Sequence, residues 1–157
     1  MKPEQQHAPL NVLFADDDSD DRSFFEKALK EVAISTNLTT VNDGELLMKY
    51  LADNSEQLPN VLFLDLNMPR KNGFECLVEI SDNEKLKDLS VVIFSTSYPQ
   101  DKSYELGMIG NLFNLGAHVY IRKPTDLNQL KQLLDHSLRM VVEKVVSNIR
   151  LKYILNA

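Results

Sequence analysis

Five short runs of strand-forming residues alternate along this chain with longer segments whose apolar residues recur at helical spacing, and this alternation constrains the fold more than any other feature. Residues 11–15 (NVLFA), 38–41, 61–65, 91–94 and 118–122 read as strands. The third and fourth are apolar almost throughout, as in strands covered on both faces. Phe24, Phe25, Ala28, Leu29 and Val32 mark a helix over about 19–33, because they recur every three to four positions on one side. Asn42-Asp43-Gly44 opens a second helix carrying Leu46, Leu47, Tyr50 and Leu51, with Asp43 placed as its N-cap. Phe74, Leu77, Val78 and Ile80 define a third, and a fourth spans about 102–115 with interruptions at Gly107 and Gly110. The last starts near Asp126, and its spacing continues from Leu130 through Val145 to Ile149.

Alternating β and α segments with buried strands predict an α/β fold with a doubly wound five-stranded parallel sheet and helices on both faces, because parallel neighbours need right-handed crossovers. Ligands of such sheets bind at the carboxyl ends of the strands. The unusual polar residues fall at those ends: Asp16 and Asp17 after the first strand, Asp65 closing the third, Ser95 after the fourth and Lys123 after the fifth.

A length of 157 residues suits one domain and leaves little room for a second. The expected division is a polar arm over 1–9, a domain over 10–137 and an extension over 138–157. A formal charge of −6 argues against a nucleic-acid partner, since phosphate contacts demand a basic surface. No run approaches the roughly 18 apolar residues of a membrane span, and the start, MKPEQQHAPL, lacks the apolar segment of a signal peptide. Cys76 is the only cysteine, so no internal disulfide can form, and the three scattered histidines (His7, His118, His136) complete no zinc site. A cytoplasmic location is expected.

Asp16, Asp17, Asp18, Asp20 and Asp21 place five carboxylates within six positions, which repel unless some face water and others bind a cation. Read alone, the run equally suits a solvated helix start, where acidic side chains complement the dipole. A calcium-binding EF-hand loop does not fit: counted from Asp16, the sixth position is Asp21 where glycine is required, and the twelfth is Lys27 where glutamate is required. Asp65 is more demanding, because Val61-Leu62-Phe63-Leu64 lead straight into it and a buried carboxylate without a partner is costly. Lys123 and a hard divalent cation, Mg²⁺ by its preference for oxygen ligands, would keep Asp65 ionised and nucleophilic. A carboxylate nucleophile, Mg²⁺, a lysine and a hydroxyl are the parts of in-line phosphoryl transfer to an aspartate. No strong base for activating water accompanies them, which favours a slow-turnover acceptor over a hydrolytic enzyme.

The motifs VLFADDD, VLFLDLNMPRKNG, VVIFSTS and VYIRKP, in that order, resemble the receiver domains of two-component response regulators. The resemblance implies the flavodoxin-like (βα)5 receiver fold and a place in a phosphorelay, with Asp65 as phosphoacceptor served by Ser95 and Lys123. It further implies Asp17 and Asp65 as direct Mg²⁺ ligands, Asp16 as a ligand through water and Asn67 as a backbone-carbonyl ligand. Asn67, Ser95, Thr96 and Lys123 would contact the phosphoryl group, and Ser95 with Tyr120 would form the switch. A cis Lys123-Pro124 bond is implied in the same way. The partner implied is a sensor histidine kinase or a phosphotransfer protein; the aspartate run and the FSTS ending look like the stand-alone regulators that serve phytochrome-type kinases. Taken singly, Ser95 also reads as a strand-end hydroxyl, Tyr120 as an edge residue with its hydroxyl in water, and Cys76 as a small core residue.

Two stretches depart from the family pattern: 98–115 is longer than the usual fourth helix, and 140–157 extends past the last. The extension carries Arg139, Lys144, Arg150 and Lys152 against Glu143, beside an apolar stripe of Val141, Val142, Val145 and Ile149. A homodimer contact through the fourth helix, fifth strand, fifth helix and tail is expected, since little of the chain's own domain remains to cover that stripe. Two rival readings remain: an aspartate-nucleophile phosphatase of the haloacid dehalogenase type, which Asp16-x-Asp18 superficially fits, and a degenerate receiver that binds partners without phosphate.

Overall fold

The computed structural model describes residues 8–96, 102–143 and 153–155. Their elements run β1 (Leu10–Ala15), α1 (Ser19–Lys30), β2 (Thr36–Val41), α2 (Gly44–Asp53), β3 (Val61–Leu64), α3 (Gly73–Asp82), β4 (Ser90–Ser95), α4 (Lys102–Asn114), β5 (Val119–Arg122), α5 (Leu127–Val142) and β6 (Tyr153–Leu155). The strands pair in parallel in the order β2-β1-β3-β4-β5-β6. The order therefore reverses between β1 and β3, which opens a crevice beyond their carboxyl ends.

Alternation along each strand divides the core into two layers. From β1, Val12 and Phe14 face α1 and α5, where Phe25, Leu29, Leu130 and Leu134 close the layer. Leu13 and Ala15 face α2, α3 and α4, against Leu47, Leu77 and Leu112. Both sets are buried, which is why the central strands carry continuous apolar runs. Phe25 stacks on Phe14 at a centroid distance of 4.0 Å and meets Phe63 and Phe94 edge-on at 5.1 and 5.7 Å.

Helices start where strand ends turn over, and short polar side chains close the orphaned N–H groups there. Asp18 accepts from the N–H groups of Asp20 and Asp21, Asp43 from Leu46, and Asp126 from Gln129. Asn72 and Glu75 form a reciprocal capping box at α3. The expected N-cap at Asp43 and helix start near Asp126 are both present.

Several boundaries differ from the sequence reading. Helix α1 stops at Lys30, with Glu31 as its C-cap, and β2 starts two residues early because Thr36 and Asn37 pair with Leu10 and Asn11. Helix α4 runs unbroken through Gly107 and Gly110. A 3-10 turn at Glu84–Leu86 had no periodic signal to reveal it. The described peptide bonds are all trans, so the cis Lys123-Pro124 bond is not present; the trans form is the intrinsically favoured isomer, by about 0.5–1 kcal/mol.

The C-terminal extension is the largest departure. Helix α5 ends at Val142 with Glu143 as its C-cap, so the stripe continuing to Val145 and Ile149 falls outside the described residues, as do Lys144, Arg150 and Lys152. Beyond them β6 pairs in parallel with β5, Val119 opposite Tyr153 and Ile121 opposite Leu155, adding a strand to the expected five. From β3 to β5 the chain advances across the sheet over the face that holds α3 and α4. Helix α5, which follows β5 in the chain, packs beside α1 on the opposite face.

The phenylalanine cluster generates a stability expectation. Phe25→Ala should cost about 3–5 kcal/mol in urea unfolding, whereas Leu106→Ala, at a side chain on α4 that is 60% exposed, should stay within about 0.5 kcal/mol.

Candidate functional site

The carboxyl ends of β1, β3, β4 and β5 bring the acidic run, Asp65, Ser95 and Lys123 to one edge of the sheet. The ladder sets their heights: the Asp65 N–H donates to the Ala15 carbonyl at 3.0 Å, the Asp16 N–H to Val41 at 3.1 Å, and the Lys123 N–H to Ser95 at 2.8 Å. Asp16, Asp17 and Asp65 each offer a carboxylate oxygen, and the three atoms lie within 4.8 Å of one another. Asp16 and Asp65 are buried while Asp17 is open to solvent.

The ammonium of Lys123 faces this cluster. Its Nζ donates to Asp16 Oδ2 at 2.8 Å and Asp21 Oδ2 at 2.9 Å, and lies 3.4 Å from Asp65 Oδ1. Burial alone would lower its proton affinity, but the bonds to Asp16 and Asp21 and the charge of Asp65 hold it well above the ordinary lysine range. Asp65 moves the other way from an ordinary carboxylate. Burial raises its pKa to about 6, against the opposing pull of Lys123, with Asp16 adding repulsion and the Asn67 N–H a modest offset. Asp16 is raised as well, chiefly by burial, although Lys123 and the Asp18 N–H both bond its carboxylate.

Local backbone chemistry positions these groups. Arg22 donates from Nη1 to the Asp16 carbonyl at 2.8 Å, tying α1 to the end of β1. A Cβ at Gly73 would lie 2.4 Å from the Asp65 carbonyl oxygen, so only glycine lets α3 begin against the loop that follows Asp65. In that loop Arg70 takes a left-handed conformation (φ 67°), and its guanidinium reaches Asp43 at 3.4 Å.

The remaining expected residues are placed as follows. Asn67 directs its N–H to Asp65 and is exposed. Ser95 is buried at the end of β4 with its hydroxyl directed at the Thr96 carbonyl at 3.4 Å rather than into the acidic cluster, and Thr96 is exposed. Tyr120 is fully buried, and its hydroxyl donates to Glu105 Oε2 at 3.4 Å; it is not an edge side chain with its tip in water. Asp18 is engaged as the α1 cap. Cys76 is buried, its pKa pushed up to about 12 by burial.

Two features escaped the sequence reading. Asp21 was one of five similar carboxylates, and nothing in their order singles out the one that meets Lys123. Glu105 is buried between α4 and β5, where it accepts from Arg122 Nε at 3.1 Å and pairs a second time with the Arg122 guanidinium. Its signal was available: it is the single acidic residue in an otherwise apolar and uncharged stretch after Lys102.

A doubly wound domain with three convergent carboxylates and an opposed lysine at its switch point defines a class of acidic-pocket α/β proteins, and comparison with known proteins places the chain within it. The family model of the response regulator receiver domain matches residues 12–135, and the chain belongs to that family. Response regulator Rcp1 of Synechocystis sp. is 34% identical over 139 residues, covering 84% of this chain and 88% of the relative. Among solved structures, the phosphorylated cyanobacterial phytochrome response regulator RcpA aligns with a TM-score of 0.72 and 28% identity, over 87% of this chain and 96% of its own. The Mn²⁺-bound form of Rcp1 aligns with a TM-score of 0.69 and 26% identity, over 91% and 99% of the two chains. This chain is thus a response-regulator receiver with the flavodoxin-like fold, and the phosphatase alternative is set aside.

The raised Asp65 value makes stability pH-dependent in a definite direction. Between the ordinary value of 3.8 and about 6, the folded protein holds a proton on Asp65 that the unfolded chain has released, so this group's contribution falls as pH rises through that window. Asp65→Asn should therefore stabilise the metal-free protein at pH 7.5, on the order of 2 kcal/mol in urea unfolding. The gain should vanish near pH 4.

Proposed function

We propose that this receiver accepts a phosphoryl group on Asp65 in a reaction that depends on Mg²⁺. The observation that carries the reading is the convergence of Asp16, Asp17 and Asp65 opposite Lys123 at the switch point of the sheet. Three carboxylate oxygens within 4.8 Å form an all-oxygen donor set with more negative charge than Lys123 balances, which fits a hard divalent cation. Asp17, Asp65 and the Asn67 carbonyl would hold the ion directly, and Asp16 through water. Such an ion supplies charge neutralisation for the phosphoryl oxygens.

The chain's own residues supply the rest. An Asp65 carboxylate oxygen attacks phosphorus in line, the bond from phosphorus to the donor's imidazole nitrogen breaks, and the electron pair leaves with the imidazole. Lys123, the Ser95 hydroxyl and the backbone around Asn67 and Thr96 bind the transferred group. A sensor histidine kinase or a phosphotransfer protein is the donor, and a phytochrome-type kinase is favoured by the likeness to Rcp1 and RcpA. The domain that does this spans 10–137, and a cytoplasmic site of action suits it; among the described residues no helix is long and apolar enough to cross a membrane.

Output follows from the end of β5. Binding of the phosphoryl group would rotate the Ser95 hydroxyl away from the Thr96 carbonyl, and Tyr120 responds through Glu105 on α4. Inverting a 1:99 population takes about 5.5 kcal/mol of differential stabilisation, of which a few charge-assisted hydrogen bonds can supply a good share. A second copy of this chain is the proposed partner of the α4-β5-α5 face and the tail.

Intact-protein mass spectrometry after incubation with acetyl phosphate and Mg²⁺ tests the proposal. One added phosphoryl group is expected, absent from Asp65→Asn and from a chelator control; no adduct on the folded protein would point to the phosphate-independent receiver instead. In light scattering the phosphorylated full chain should show twice its own monomer mass while a chain truncated after Glu143 stays at its monomer mass, and a phosphorylated full chain found at its monomer mass would dismiss the tail-mediated dimer.

A further inference from the structure

We propose that Asp21 is a positioning residue that restrains Lys123, holding its ammonium back from the acceptor carboxylate and slowing phosphoryl uptake. The proposal rests on the reading of Asp65 as acceptor. A lysine ammonium has three protons to place. Here two are committed, to Asp16 at 2.8 Å and Asp21 at 2.9 Å, while Asp65 stands off at 3.4 Å. Asp16 belongs to the carboxylate trio suited to a cation, but Asp21 does not. A cation in that trio would draw on the charge of Asp16 and leave Asp21 as the full counter-charge of Lys123.

Asp21 is well built for the task. It sits in the first turn of α1, where its own N–H bonds the capping carboxylate of Asp18 at 3.1 Å, so its backbone is anchored. Its side chain remains 40% exposed, and that open side lets the carboxylate turn to water when the lysine leaves it. When acetyl phosphate is the donor, an Asp65 oxygen forms the new bond to phosphorus while the P–O bond breaks and acetate departs with the electron pair. Lys123 stabilises the developing charge only to the extent that it swings from Asp21 toward the phosphoryl oxygens, so the Asp21 contact opposes the transition state.

The test is the acetyl phosphate dependence of the phosphorylation rate, in Mg²⁺, for the full chain and three variants. Asp21→Asn should raise the maximal rate by about threefold or more, and Asp21→Glu, which restores a carboxylate within reach of the lysine, should return it toward wild type. Asp20→Asn removes the same formal charge from an exposed neighbouring side chain. It should alter only the half-saturating donor concentration, as a change in general repulsion would. A maximal rate in Asp21→Asn no higher than in Asp20→Asn, or lower than wild type, overturns the proposal while leaving Asp65 as acceptor. Absence of phosphoryl from wild type and every variant removes the acceptor reading and this inference together.

Discussion

The ion pairing of Lys123 with the carboxylates around it is the interaction on which the rest of this site depends. The lysine arrives at the end of β5 with its backbone held by Ser95, and its ammonium meets side chains from the end of β1, the first turn of α1 and the end of β3. The buried carboxylates of Asp16 and Asp65 would be costly to keep charged in isolation, and with Asp21 they exceed what one lysine can balance. The remaining tension is visible in Asp65, which burial holds protonated to about pH 6 despite the lysine. A site with this imbalance is prepared to take up positive charge.

The same strand joins the acidic pocket to α4. Tyr120 and Arg122 lie in β5 shortly before Lys123, and both reach Glu105 on α4. A buried carboxylate with an arginine and a tyrosine as partners fixes α4 against β5 more specifically than apolar packing alone, since removing either partner leaves polar atoms unsatisfied. Displacement of Lys123 is thus mechanically close to α4, and in the proposed function this is the route from phosphoryl uptake to output.

Much of this was legible beforehand for reasons that can be named. Strands buried on both faces must be apolar throughout, so β3 and β4 announced themselves, and each departure from apolarity at a strand end marked the pocket. Caps such as Asp43 and Asp126 were readable because only a few side chains can satisfy the first N–H groups of a helix. What escaped depended on distance in space rather than order in sequence. Which of five aspartates meets Lys123 is decided by the turn of α1, and the partner of Tyr120 by how α4 lies on β5. The stripe after α5 carried a helical period, yet a period reports a face and not where a helix stops, and β6 is too short at three residues to leave a pattern of its own. The cis bond was an inference from resemblance, and the chain adopts trans.

In the proposed function the excess negative charge of the pocket is balanced by one divalent cation held at Asp17 and its neighbours. Calorimetric titration of Mg²⁺ at pH 8, where Asp65 is ionised, tests it most directly, comparing wild type with Asp17→Asn, whose solvent-exposed position spares the fold. One ion per chain is expected, with affinity weakened by about tenfold or more in the variant. Binding that is undiminished by Asp17→Asn, or no saturable binding in wild type, would contradict it.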